Sequence, residues 1–137
     1  MNGNEKCKIE KLEKISRPPI YTMLVEVVGW TMDRTVNFPK SQRFTYGQRL
    51  DNLALDGLQV VVKAIFSRDS RQKIKWLEEL LLILEQKQVL WRLTYDRRWI
   101  SLQQLAYVSG RLEEIGRMAN GWRQQQMRKA GMGRAVQ

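Results

Sequence analysis

Histidine is absent from the 137 residues, and cysteine occurs once, at Cys7. The first absence removes the commonest general base and the commonest neutral metal ligand. The second rules out an intrachain disulfide framework and, with the first, leaves zinc almost nothing to bind. Proline is scarce, with three residues, so little interrupts helical structure outside the Pro18–Pro19 pair and Pro39. Long hydrophobic runs are missing as well. The longest, Leu80–Leu84, is far short of the roughly 20 apolar residues needed to cross a bilayer. With no hydrophobic leader either, the expectation is a soluble, cytoplasmic protein with no membrane partner, no metal and no cofactor.

Acidic charge is the other deficit. Fourteen Asp and Glu face 24 Lys and Arg, a formal charge of +10, which makes polyanions favoured partners. Residues 97–137 hold eight basic and two acidic residues, against eleven and nine in residues 20–96. The C-terminal third is therefore the expected polyanion-facing segment, and a merely soluble cationic surface is the alternative. Hydrophobic residues make up 43% and charged residues 28%, the composition of a folded chain, and the length suits one domain.

Apolar spacing then predicts helices. Residues 1–19 alternate Lys and Glu and read as a frayed or helical appendage outside the core. A first core helix is predicted over 20–36 from Tyr21, Leu24, Val28 and Met32, although a strand is conceivable for Met23–Val28. Pro39 starts a second helix reaching about Phe66 and burying Phe44, Leu50, Leu53, Ala54, Leu58, Val61 and Ile65. Within it, Gly47 and Gly57 mark close approach of a neighbouring helix, or in the case of Gly47 a kink.

A third helix, about 71–96, follows a cap at Asp69 or Ser70 and places Ile74, Leu77, Leu81, Leu84, Gln88, Trp91 and Tyr95 on heptad spacing. A second stripe, Trp76, Leu80, Ile83 and Leu90, lies beside the first. Together they span roughly 200° of the helix, more than one core normally needs. The second stripe is thus expected to pack against another copy of the chain, with a helix enclosed inside one chain as the other reading.

Ser101 and Gln104 form a capping box for a fourth helix, whose stripe Leu105, Val108, Leu112, Ile115, Ala119 and Trp122 carries it to about Gln126. The basic remainder, 127–137, is expected to order only on a partner. The predicted fold class is all-α: an antiparallel up-down four-helix bundle over 20–126, assembling as a ring-like homo-oligomer.

Catalytic groups are poor. The adjacent pairs Glu78–Glu79 and Glu113–Glu114 point about 100° apart within one helix and read as solvated faces. A carboxylate-bridged metal centre lacks its histidines. The chain is therefore read as no enzyme, with basic side chains as its working groups: Lys40, Arg43, Arg49, Arg97, Arg98, Arg111, Arg117 and Arg123. Such residues bind phosphate with strong salt dependence and weak sequence selectivity. The start of the second helix and the end of the third are expected at opposite ends of the bundle, so that only a symmetric assembly could gather these groups. Trp91 and Trp122 read as core, while Trp99, between Arg98 and Ser101, is open to a binding role.

The run Phe38–Pro39–Lys40–Ser41–Gln42–Arg43–Phe44, with Gly47–Gln48–Arg49 and Leu53–Ala54–Leu55–Asp56, resembles a helix motif of the accessory variability determinants of diversity-generating retroelements. So do Ile100–Ser101–Leu102, Glu113–Glu114–Ile115–Gly116–Arg117–Met118 and Gly121–Trp122. These proteins are similar in fold to bundle proteins encoded within intervening sequences of 23S ribosomal RNA. That branch tends to carry a Ser-Ile-Pro-Ala-Asn type segment where this chain has Leu55–Asp56–Gly57–Leu58. The resemblance implies a homopentamer that binds RNA or DNA and the retroelement reverse transcriptase and supports mutagenic cDNA synthesis. An RNA-associated structural protein of the intervening-sequence type is the alternative, and a pure structural oligomer a third.

Overall fold

In the computed structural model the described residues are 2–16 and 18–131, with the backbone alone for 10–16. The order is α1 (Gly3–Ser16), α2 (Pro19–Thr35), a short α3 (Lys40–Gln42), a π-helical turn (Arg43–Gly47), α4 (Gln48–Phe66), α5 (Ser70–Asp96) and α6 (Leu102–Lys129). Among the described residues there is no strand, so Met23–Val28 is helical and the chain is all-helical. No described helix is long and apolar enough to cross a membrane. Residues 2–9 are exposed.

The caps explain the boundaries. Pro19 occupies the first turn of α2, where its missing N–H is no loss. Asp69, one of the two residues expected to cap α5, accepts from the Arg71 backbone at 3.3 Å. Ser101 and Gln104 complete the capping box of α6 in both directions. That helix runs on to Lys129, so Met127–Lys129, expected within a partner-ordered tail, are helical, and the last six residues lie outside the described chain.

Four long helices enclose one core. Thr35 on α2 bonds Asp51 on α4, Lys73 on α5 bonds the Ala64 and Ile65 carbonyls of α4, Gln88 on α5 bonds Ser109 on α6, and Arg111 on α6 pairs with Glu26 on α2. The first three pairings each set a late residue of one helix against an early residue of the next, so successive long helices run antiparallel. A Cβ on Gly57 would sit 3.7 Å from Ile83 and Leu80 and 3.8 Å from Leu24, so three helices meet there with room for one carbon.

Three expectations are corrected. Leu80 is fully buried and Ile83 nearly so, because α5 sits between α4 and α6 and needs both its stripes to cover them; Trp76 and Leu90 are half-buried against the same core. That stripe therefore does not stand open to a second copy. What α5 leaves outside is Leu82, Val89 and Leu93. Phe44, expected in the core, is 83% exposed. The π-helical turn shifts the phase of the second helix so that Tyr46 and Gly47 face inward instead. The third is the placing of the start of the second predicted helix and the end of the third at opposite ends of the core, which the antiparallel course reverses.

One buried group is out of keeping with the rest. Lys87 lies on the same face as Leu80, Leu84 and Trp91, is fully buried, and its Nζ has no hydrogen-bond partner among the described residues. Burial lowers its pKa to about 8. Thr31 Oγ1 and Trp91 Nε1 are likewise buried without partners among the described residues.

Candidate nucleic-acid interface

In an antiparallel array the chain enters α4 at the end of the core where it leaves α5. The segments holding Lys40, Arg43 and Arg49 and those holding Arg97 and Arg98 therefore lie together, not at opposite ends as the sequence reading had it. Contacts prove the juxtaposition. The Trp99 ring lies 5.4 Å from Phe38 and 5.4 Å from Tyr46, and the Tyr46 hydroxyl donates to the Leu90 carbonyl and meets Thr94 Oγ1 at 2.9 Å. Burial pushes the Tyr46 phenol up and the Thr94 bond pulls it partly back, which keeps the proton available for donation.

Phe38 is the anchor. It is buried, and around it stand Tyr46, Trp91 and Trp99, with Trp30 5.1 Å beyond Trp91. Aromatic pairs at these distances add to the area they bury, so this end is held rigidly. Trp99 is thus part of a packed cluster and only half-exposed, which weakens its reading as a stacking platform.

Around this floor the basic residues form a rim. Lys40, Arg43, Arg49, Arg97 and Arg98 are all exposed. Arg43 Nε donates to the Phe38 carbonyl at 3.0 Å, and the Arg97 guanidinium stands 5.5 Å from the centre of the Trp99 ring. From residue 34 to 49 the chain has four basic residues and no acid. Across the turn, Asp96 is engaged with Arg92 at 3.2 Å. Lys40, Arg49, Arg97 and Arg98 form no ion pair among the described residues.

Arg98 adopts φ 63°, the left-handed conformation. Its N–H bonds the Tyr95 carbonyl and that of Trp99 bonds Thr94, a closure that normally uses glycine. A side chain there costs roughly 1–2 kcal/mol, and such costs gather at functional sites. Arg98→Gly should therefore stabilise the chain by about 1 kcal/mol in urea denaturation while weakening polyanion binding. A loss of stability would show that the arginine is held by something other than its charge.

The remaining expected residues lie elsewhere. Arg111 pairs with Glu26 at 3.4 Å and with Glu114 at 3.9 Å, and Arg123 pairs with Glu78 at 3.4 Å and bonds Asn120. Both tie helices together. Arg117 is exposed on α6, apart from the rim. Sequence reading missed Phe44, whose exposed ring sits among the basic residues; its only signal was its place between Arg43 and Arg49 in a run without acids.

Fold and surface define a small, basic, all-helical protein whose charge is gathered over an aromatic floor. A family model described as bAvd-like matches residues 20–126, and the chain belongs to that family. The match spans α2 to most of α6 and excludes α1. No curated protein and no solved structure matches the chain.

Proposed function

We propose that this chain is a non-enzymatic accessory protein of a diversity-generating retroelement, binding RNA or DNA and the retroelement reverse transcriptase in support of mutagenic cDNA synthesis. In this reading it is a cytoplasmic antiparallel four-helix bundle that assembles as a homopentameric ring. The observation that carries it is the basic rim: five cationic side chains from two distant segments at one rigid end, in a chain of the bAvd-like family. Arginine forks and a lysine at such a rim suit phosphate oxygens and demand no particular base.

Self-association is assigned to the outward stripe of α5. Leu82, Val89 and Leu93 are 60%, 67% and 43% exposed and share one face of the helix. In a ring, each rim would be repeated around one face and the fields would add.

Co-expression with a retroelement reverse transcriptase from the same genome tests the reading. The two proteins should purify together. The purified chain should also bind RNA with an affinity that falls on the order of 10²–10³-fold between 50 and 200 mM salt if five phosphates are contacted. A chain that neither retains the enzyme nor shows salt-dependent binding would sink the proposal.

A further inference from the structure

At the opposite end of the core, about 40 Å away along the 27 residues of α5, an open groove of about 600 Å³ lies at the α4–α5 connection. Its walls are Lys63 and Phe66 from α4, Ser67, Arg68 and Asp69 from the connection, and Gln72 and Trp76 from α5. None of these residues belongs to the basic rim.

Between residues 63 and 75 the chain has five basic residues and one acidic, Asp69. Two of these groups are already engaged, Asp69 as the cap of α5 and Lys73 on the Ala64 and Ile65 carbonyls. Lys63, Arg68 and Lys75 have no ion pair among the described residues. Instead, the ammonium groups of Lys63 and Lys75 stand 4.7 and 5.3 Å from the centre of the Trp76 ring. Positive charge is thus gathered beside an aromatic ring in excess of the groove's one lining carboxylate, Asp69, which accepts from the first turn of α5, and Phe66 alongside is 67% exposed.

A ligand that satisfies such a groove is flat, to lie on the rings, and anionic at its edges. We propose that this groove takes an unpaired nucleotide of single-stranded nucleic acid, its base against Trp76 and Phe66 and its flanking phosphates on Lys63, Arg68 and Lys75. Both lysines have flexible stems, so their ammonium groups swing from the ring to the phosphates as the base enters. Bases in a duplex are stacked on one another and cannot enter, so the groove distinguishes single from double strands, as the rim does not. An acidic peptide would use the charges and gain nothing from the rings. The inference rests on the reading of nucleic acid as the partner but assigns it a second, separate surface.

The test uses the full chain with a fluorescent octathymidylate carrying one 5-iodouracil, and an eight-base-pair duplex for comparison. Stacking of a base on an aromatic side chain predicts that Trp76→Leu weakens octathymidylate binding about ten-fold and leaves the duplex unchanged. Phe66→Ala and Arg68→Glu, at exposed positions outside the packed core, should do the same and guard against a folding defect in the tryptophan variant. Irradiation should attach the iodouracil to Trp76 or Phe66. Equal losses for both nucleic acids, attachment confined to residues 38–49 and 97–99, or equal binding of hexaglutamate would overturn the inference. If these three variants are inert while Arg97→Glu with Arg98→Glu abolishes binding, the groove fails and the proposed function stands. If the unaltered chain binds neither nucleic acid, both fail.

Discussion

Replacing Lys40, Arg49, Arg97 and Arg98 together by glutamate should lower affinity for RNA or DNA by roughly 10³-fold at 100 mM salt, at about 1 kcal/mol per lost phosphate contact. These four are chosen because they are exposed and form no ion pair among the described residues, so reversal breaks no bond that holds the fold. Arg43 is spared because it holds the Phe38 carbonyl. Arg111 and Arg123 are spared because their partners Glu26 and Glu78 belong to other helices. The salt slope should become shallower by about 3.6, the share of four phosphates. Circular dichroism and the unfolding midpoint should barely move. An unchanged isotherm would place the polyanion surface elsewhere and remove the rim from the proposal.

Lys87→Met should stabilise the chain by about 2–3 kcal/mol at pH 7 and raise Tm by roughly 5–10 °C. The cause is the ammonium group of Lys87, fully buried with no acceptor among the described residues, whose pKa falls to about 8 from the ordinary 10.5. Between those values the unfolded chain binds the proton and the folded chain does not, so stability rises with pH across that window. Below pH 8 both forms are protonated and the penalty, about 3 kcal/mol, is constant. Methionine fills similar volume and adds no orphaned donor. The difference between the two proteins should therefore shrink as pH rises from 8 to 10.5, which denaturation at several pH values will read. A variant less stable than the parent would mean that Lys87 has an acceptor in the folded assembly, supplied by water, an ion or another copy.

Periodicity was enough for the helices. Leu105, Val108, Leu112, Ile115, Ala119 and Trp122 step by three and four, and Val108, Leu112, Ile115 and Ala119 are all buried. The same logic could have flagged Lys87, a cation three residues after Leu84 and four before Trp91 on a buried face. Phe44 was misread because a π-helical turn has no signature in a 3.6-residue pattern, and a slip of one residue turns a side chain by about 100°. The second stripe of α5 was misread for a different reason. A wide apolar arc says how much surface must be covered and nothing about what covers it.

By itself, the amino-acid order determined that this protein is helical, where its helices begin, that it carries a large positive charge, and which family motifs it holds. These are local properties, set by capping groups, by three- and four-residue spacing and by composition. Only the tertiary structure decided which charges stand together. The antiparallel course brings residues 40–49 and 97–98 to one end and Lys63, Arg68 and Trp76 to the other, and it closes arginines 111 and 123 into bridges. Proximity across fifty residues depends on the direction in which each helix returns, and that is settled by how the apolar faces share one core.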